Sequence, residues 1–137
     1  MTKPLPRAIL FAIVALIVTA IVSAIVLLIM VGLPGSRDAA AEFQRQAIAK
    51  AVWVDLIVGG VVLFGAGWLA GRPFAGCAAL LTGLMAGLAY VLADLAIVFL
   101  FGNADRLDLN ATGLSYAVKV AAATLGGWLA GRRATIA

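Results

Sequence analysis

From Ala8 to Leu33 the chain runs AILFAIVALIVTAIVSAIVLLIMVGL without a single charged residue, preceded by Lys3 and Arg7. A helix needs about 20 apolar residues to cross the hydrocarbon of a bilayer. A cleavable signal peptide has an apolar region of only about 7–15 residues ending in a small-x-small site. This run is about twice that length and ends in GLPG, so it reads as a retained transmembrane helix. The rest of the chain agrees. Of 137 residues 65% are hydrophobic and 12% charged, against about 25% charged in soluble domains. A body of this size cannot hide that much apolar surface from water. The expected fold is an all-α integral membrane protein, a four-transmembrane-helix bundle forming a single membrane domain over 1–137.

The spans are expected at about 8–33, 51–71, 74–101 and 111–131. Pro34-Gly35 breaks the chain after the first, and Ser36 is a candidate N-cap for SRDAAAEFQRQAIAK, an alanine-rich stretch of good helix propensity. That stretch, about 36–50, either lies at the membrane surface or runs straight into the second span. Trp53 and Trp68 sit near the ends of the second span, fifteen residues apart. That corresponds to about 22 Å of helix, close to the spacing of the interfacial aromatic belts. Arg72-Pro73 makes a short turn. The polar loop GNADRLDLN offers Asp108 or Asn110 as a cap for the fourth span, which Arg132 and Arg133 close.

Basic residues indicate the orientation. With the N-terminus inside, the inner side holds Lys3, Arg7, Arg72, Arg132 and Arg133 and no acidic residue. The outer side mixes Arg37, Arg45, Lys50 and Arg106 with Asp38, Glu42, Asp105 and Asp108. The positive-inside rule then places both termini in the cytoplasm of a cell with this chain in its inner (plasma) membrane. Brevity and Gly/Ala richness suit a bacterium. The net charge of +4 is dispersed over segment ends, not gathered in a stripe, so no nucleic-acid partner is expected.

The hexamer GWLAGR occurs at Gly67–Arg72 and again at Gly127–Arg132. Both copies end a span, on the same side. This suggests two tandem helical hairpins forming a parallel repeat, each closed by an interfacial Trp (Trp68, Trp128) and an Arg (Arg72, Arg132).

Small residues at four-residue spacing let helix backbones approach closely in lipid. Such rows comprise Ala79, Gly83 and Gly87 in the third span, Gly67 and Gly71 in the second, and Ser115, Lys119, Ala123, Gly127 and Gly131 in the fourth. The first span has Ala15, Thr19 and Ser23.

Three ionisable residues interrupt the apolar spans: Asp55, Asp94 and Lys119. An isolated charge near a helix centre costs about 2.5–3.5 kcal/mol on insertion scales, so pairing is expected. Asp94 follows Gly87 by seven positions on the same face, and its depth matches that of Lys119. The reading is therefore an Asp94–Lys119 ion pair locking the second hairpin, with Asp55 in the same outer half as a surplus charge. The functional counterpart is a trio forming an intramembrane polar site for a cation, proton or polar solute.

Other chemistry is thin. Histidine is absent and Cys77 is the only cysteine, which removes the usual ligands of haem, zinc, copper and iron–sulfur centres. The oxygens of Asn103, Asp105, Asp108 and Asn110 lack calcium-loop spacing and suit turns and caps. No catalytic residue, metal site or cofactor is expected, and an enzyme is not. The favoured expectation is an accessory subunit or assembly factor that works with other membrane protein subunits. A small transporter or channel, self-associating and using Asp94 and Lys119, is the alternative.

Overall fold

The computed structural model describes residues 3–32, 37–101 and 109–133. Four helices follow one another, α1 (Pro4–Val31), α2 (Arg37–Gly71), α3 (Cys77–Leu100) and α4 (Leu109–Arg133). No strand occurs among the described residues. Three helices are long and apolar enough to cross a membrane, Pro4–Val31, Ala40–Gly71 and Cys77–Leu100. The fourth does not reach that apolar content, because Ser115, Lys119, Thr124 and a run of glycines and alanines take the place of large aliphatics. The expected four spans are thus matched by three helices of spanning composition.

The stretch after residue 36 and the second span form one continuous helix. At 1.5 Å per residue the 35 residues of α2 extend about 52 Å, well beyond a hydrocarbon core of about 30 Å. The third helix starts three residues later than the sequence suggests. Arg72 and Phe74 close the turn by donating their amides to Trp68 and Gly71 carbonyls at 3.0 and 2.9 Å. Gly76 then takes φ +54°, a left-handed setting that suits glycine. Of the proposed caps, Ser36 and Asp108 lie outside the described residues, and Asn110 falls inside α4.

The bundle is packed inside out relative to a soluble protein. Along α1 the buried residues are Ala8, Ala12, Ala15 and Thr19, while Leu10, Ile13, Ile17, Ile21 and Ile25 are exposed. In lipid, exposed aliphatics carry no penalty, and association rests on close packing of small surfaces. Neighbouring helices alternate in direction, and α4 lies against both α2 and α3 while α1 lies against both on the other side. The hairpins α1–α2 and α3–α4 are therefore side by side, with α2 parallel to α4.

Glycines make this possible. An added Cβ on Gly67 would overlap the Ala123 backbone, and one on Gly126 would overlap that of Phe64. A Cβ on Gly127 would lie 2.5 Å from the Ala79 carbonyl and 3.0 Å from Gly83 Cα. Gly71, Gly83, Gly87 and Gly131 meet neighbouring backbone or alanine at similar distances. The two GWLAGR copies pack on each other through Gly71 and Gly127. Cations tie both ends of the first hairpin. Arg7 donates to the Leu69 and Ala70 carbonyls at 3.0 and 3.1 Å, and Lys50 to that of Met30 at 3.4 Å. Each neutralises a helix C-terminus, where the macrodipole favours positive charge.

Candidate functional site

The polar cluster is assembled from three helices. On α2, Asp55 precedes Gly59 by one turn. On α4, Ser115 and Tyr116 are adjacent and Lys119 follows one turn later, and α3 contributes Tyr90 and Asp94.

Lys119 is 1% exposed. Its stem crosses α2 at Gly59, where any Cβ would collide with Cε. Its Nζ donates to both carboxylate oxygens of Asp55, at 2.8 and 2.7 Å. Ser115 Oγ donates to Asp55 Oδ2 at 2.9 Å. The ammonium also lies 5.2 and 5.6 Å from the ring centroids of Tyr90 and Tyr116, within cation–π range. On the neighbouring side Tyr116 Oη donates to Asp94 Oδ2 at 2.7 Å.

The ion pair thus joins α2 to α4, and the expected Asp94–Lys119 pair is not formed. Depth alone places all three charges in one half of the bundle, as the sequence suggests. Which carboxylate receives the lysine depends on the direction of its side chain around α4. Lys119 lies on the face that meets Gly59, so it reaches one turn along α2 to Asp55. Asp94 does face α4, as its register with Gly87 implies, but it meets Tyr116.

Desolvating an ammonium costs several kcal/mol unless it is paired with good geometry. Here it is held by two charge-assisted hydrogen bonds, which are the stronger kind. The Asp55 side chain remains 43% exposed. The pair is neutral, and Asp94 adds a negative charge beside it. Carboxylates, an ammonium and hydroxyls can position a cation or pass a proton. Among the described residues no three His, Cys, Asp or Glu side chains converge as metal ligands.

The remaining residues named from the sequence lie elsewhere. Trp53, 68% exposed, borders an apolar groove of about 320 Å³ with Val26, Met30 and Lys50. Trp68 and Trp128 lie at the opposite end, under Arg72 at 5.0 Å and Arg132 at 4.1 Å. Ala79, Gly83, Gly67, Gly71, Gly127 and Gly131 form helix contacts away from the polar cluster, whereas Gly87 meets Val120, beside Lys119. Sequence reasoning missed Tyr90, Tyr116, Gly59 and Gly126. The spacing of Asp55 and Gly59, and of Tyr116 and Lys119, would have placed each pair on one helix face.

No protein-family model, curated protein or solved structure matches the chain.

Proposed function

We propose that this chain is a non-catalytic integral membrane subunit, or assembly factor, of a larger membrane protein complex. In this reading α4 also crosses the bilayer, sheltered between α2 and α3, so its modest apolar content is tolerated. The end carrying Lys3, Arg7, Arg72, Arg132 and Arg133, with no acidic residue nearby in the sequence, faces the cytoplasm of a bacterial inner membrane.

The carrying observation is Asp55. Its carboxylate is bound to a buried lysine, yet its side chain is 43% exposed on a helix flank that also presents Ile48 and Val52. A half-open charge on an otherwise lipid-facing flank is favourable only against other polar groups. A partner helix supplying a hydroxyl, amide or cation there meets that requirement. The small-residue contacts give the bundle a rigid flank to present.

A second reading, a small oligomeric transporter or channel, draws support from Asp94. Its charge is additional to the neutral pair and reaches Tyr116, so a cation or proton could be exchanged beside Lys119.

Extraction from native membranes in mild detergent, followed by native mass spectrometry, tests the first reading. A stoichiometric foreign subunit lost on Asp55→Leu combined with Lys119→Met, which removes the exposed carboxylate without stranding the buried ammonium, supports it. A monomer or homo-oligomer alone overturns it, and proteoliposome flux abolished by Asp94→Asn in folded protein would then establish the second.

A further inference from the structure

At the basic end of the bundle two arginines from different helices share one aromatic ring. The guanidinium of Arg72, just past α2, lies 5.0 Å from the Trp68 ring centroid, and that of Arg133, in the last turn of α4, lies 5.9 Å from it. With Trp68 and Ala130 they line a single cavity of about 230 Å³. Close packing of the two GWLAGR copies brings this about, because it sets the end of α2 beside the end of α4.

Two like charges in one small cavity repel each other unless an anion lies between them. Among the described residues this end of the bundle has no carboxylate to offer. No acidic residue occurs in the first turns of α1, in the α2–α3 turn or at the end of α4. The nearest along α2, Asp55, is roughly 25 Å away at 1.5 Å per residue. Guanidinium is suited to this task, since its planar fork binds phosphate oxygens in pairs and stacks on aromatic faces. Arg7 is engaged otherwise, on the α2 carbonyls.

We infer that Arg72 and Arg133, seated on Trp68, form a binding site for a phosphate anion, and that its source is the headgroup of an acidic phospholipid in the leaflet at this end. Basic pockets between membrane helices on the cytoplasmic side bind such headgroups. The Trp68 ring and Ala130 provide apolar walls for the glycerol portion.

Purified full-length chain in neutral detergent is mixed with phosphatidylglycerol or phosphatidylcholine, and retained lipid is counted by native mass spectrometry. In parallel, inorganic phosphate is titrated while thermal unfolding is followed. The wild type retains phosphatidylglycerol over phosphatidylcholine. The double variant R72Q/R133Q binds it at least roughly tenfold more weakly, the effect of losing one or more charge-assisted hydrogen bonds. R45Q, at the other end of the bundle, matches wild type. R72K/R133K keeps the charges that set orientation and folding but loses the fork, and retains measurably less lipid than wild type.

Stabilisation by inorganic phosphate that disappears in R72Q/R133Q, without lipid preference, would keep the phosphate site and assign it a soluble ligand. Equal retention of the two lipids together with no response to phosphate overturns the site. So does equal phosphatidylglycerol retention by wild type and R72K/R133K, which would reduce the effect to charge alone.

Discussion

Removing either member of the Asp55–Lys119 pair should destabilise the bundle, but by unequal amounts. Asp55→Leu leaves an ammonium that is 1% exposed without its counterion. Breaking a buried pair in this way costs roughly 3–5 kcal/mol, in line with the insertion cost of an isolated charge. Lys119→Met leaves a carboxylate whose side chain is 43% exposed and still accepts from Ser115. Solvation and that hydrogen bond limit its loss to about 1–2 kcal/mol. The double variant carries neither charge and should lie within about 1 kcal/mol of wild type, as when buried pairs give way to apolar residues of similar size. The two single losses together, less that of the double, give an expected coupling of at least about 3 kcal/mol, large for a neighbouring pair. It can be read from reversible unfolding in mixed micelles, titrated with a denaturing detergent and followed by far-UV circular dichroism. The same cycle with Asp94→Leu and Lys119→Met should couple weakly. Additive Asp55 and Lys119 effects, or stronger coupling to Asp94, would refute the assigned pairing.

Further outcomes follow from the packing. Gly59→Val should displace the lysine stem and lower stability in the wild type, and should cost much less in a Lys119→Ala background, a difference measurable in the same unfolding assay. Gly127→Val places atoms against the Ala79 carbonyl and the Gly83 backbone; overpacking costs about 1–3 kcal/mol, so its unfolding midpoint should fall sharply. Gly65→Ala, where a Cβ meets nothing within 4 Å, should leave the midpoint unchanged or raise it. Exposed Cys77 lies at the basic end, so a membrane-impermeant maleimide should label it in inverted membrane vesicles and not in intact cells; the reverse pattern would invert the proposed orientation.

Much of the architecture is legible in the residues alone, because lipid imposes simple rules. A charge-free stretch as long as Ala8–Leu33 has few alternatives to a spanning helix. The Gly/Ala rows identify the faces that meet, as Gly83 against Gly127 and Gly67 against Ala123 confirm. Helix count and approximate boundaries follow from hydropathy and from the Pro-Gly and Arg-Pro breaks. The composition of α4 diverges from a spanning helix for a readable reason. Its small residues meet the backbones of α2 and α3, as Gly126 does at Phe64 and Gly127 at Ala79 and Gly83.

What the sequence by itself determined is thus the helical class, the apolar character of the bundle and the shared level of Asp55, Asp94 and Lys119 along it. Only the tertiary structure decided which charges meet. Depth is a one-dimensional quantity that residue counting provides, whereas an ion pair also needs the rotation of each helix about its axis and the identity of its neighbour. Those depend on contacts between residues far apart in the chain, here Gly59 admitting the stem of Lys119 and Gly71 meeting Gly127. The same long-range packing sets Arg72 and Arg133 on one tryptophan, a juxtaposition that two arginines sixty-one residues apart do not announce.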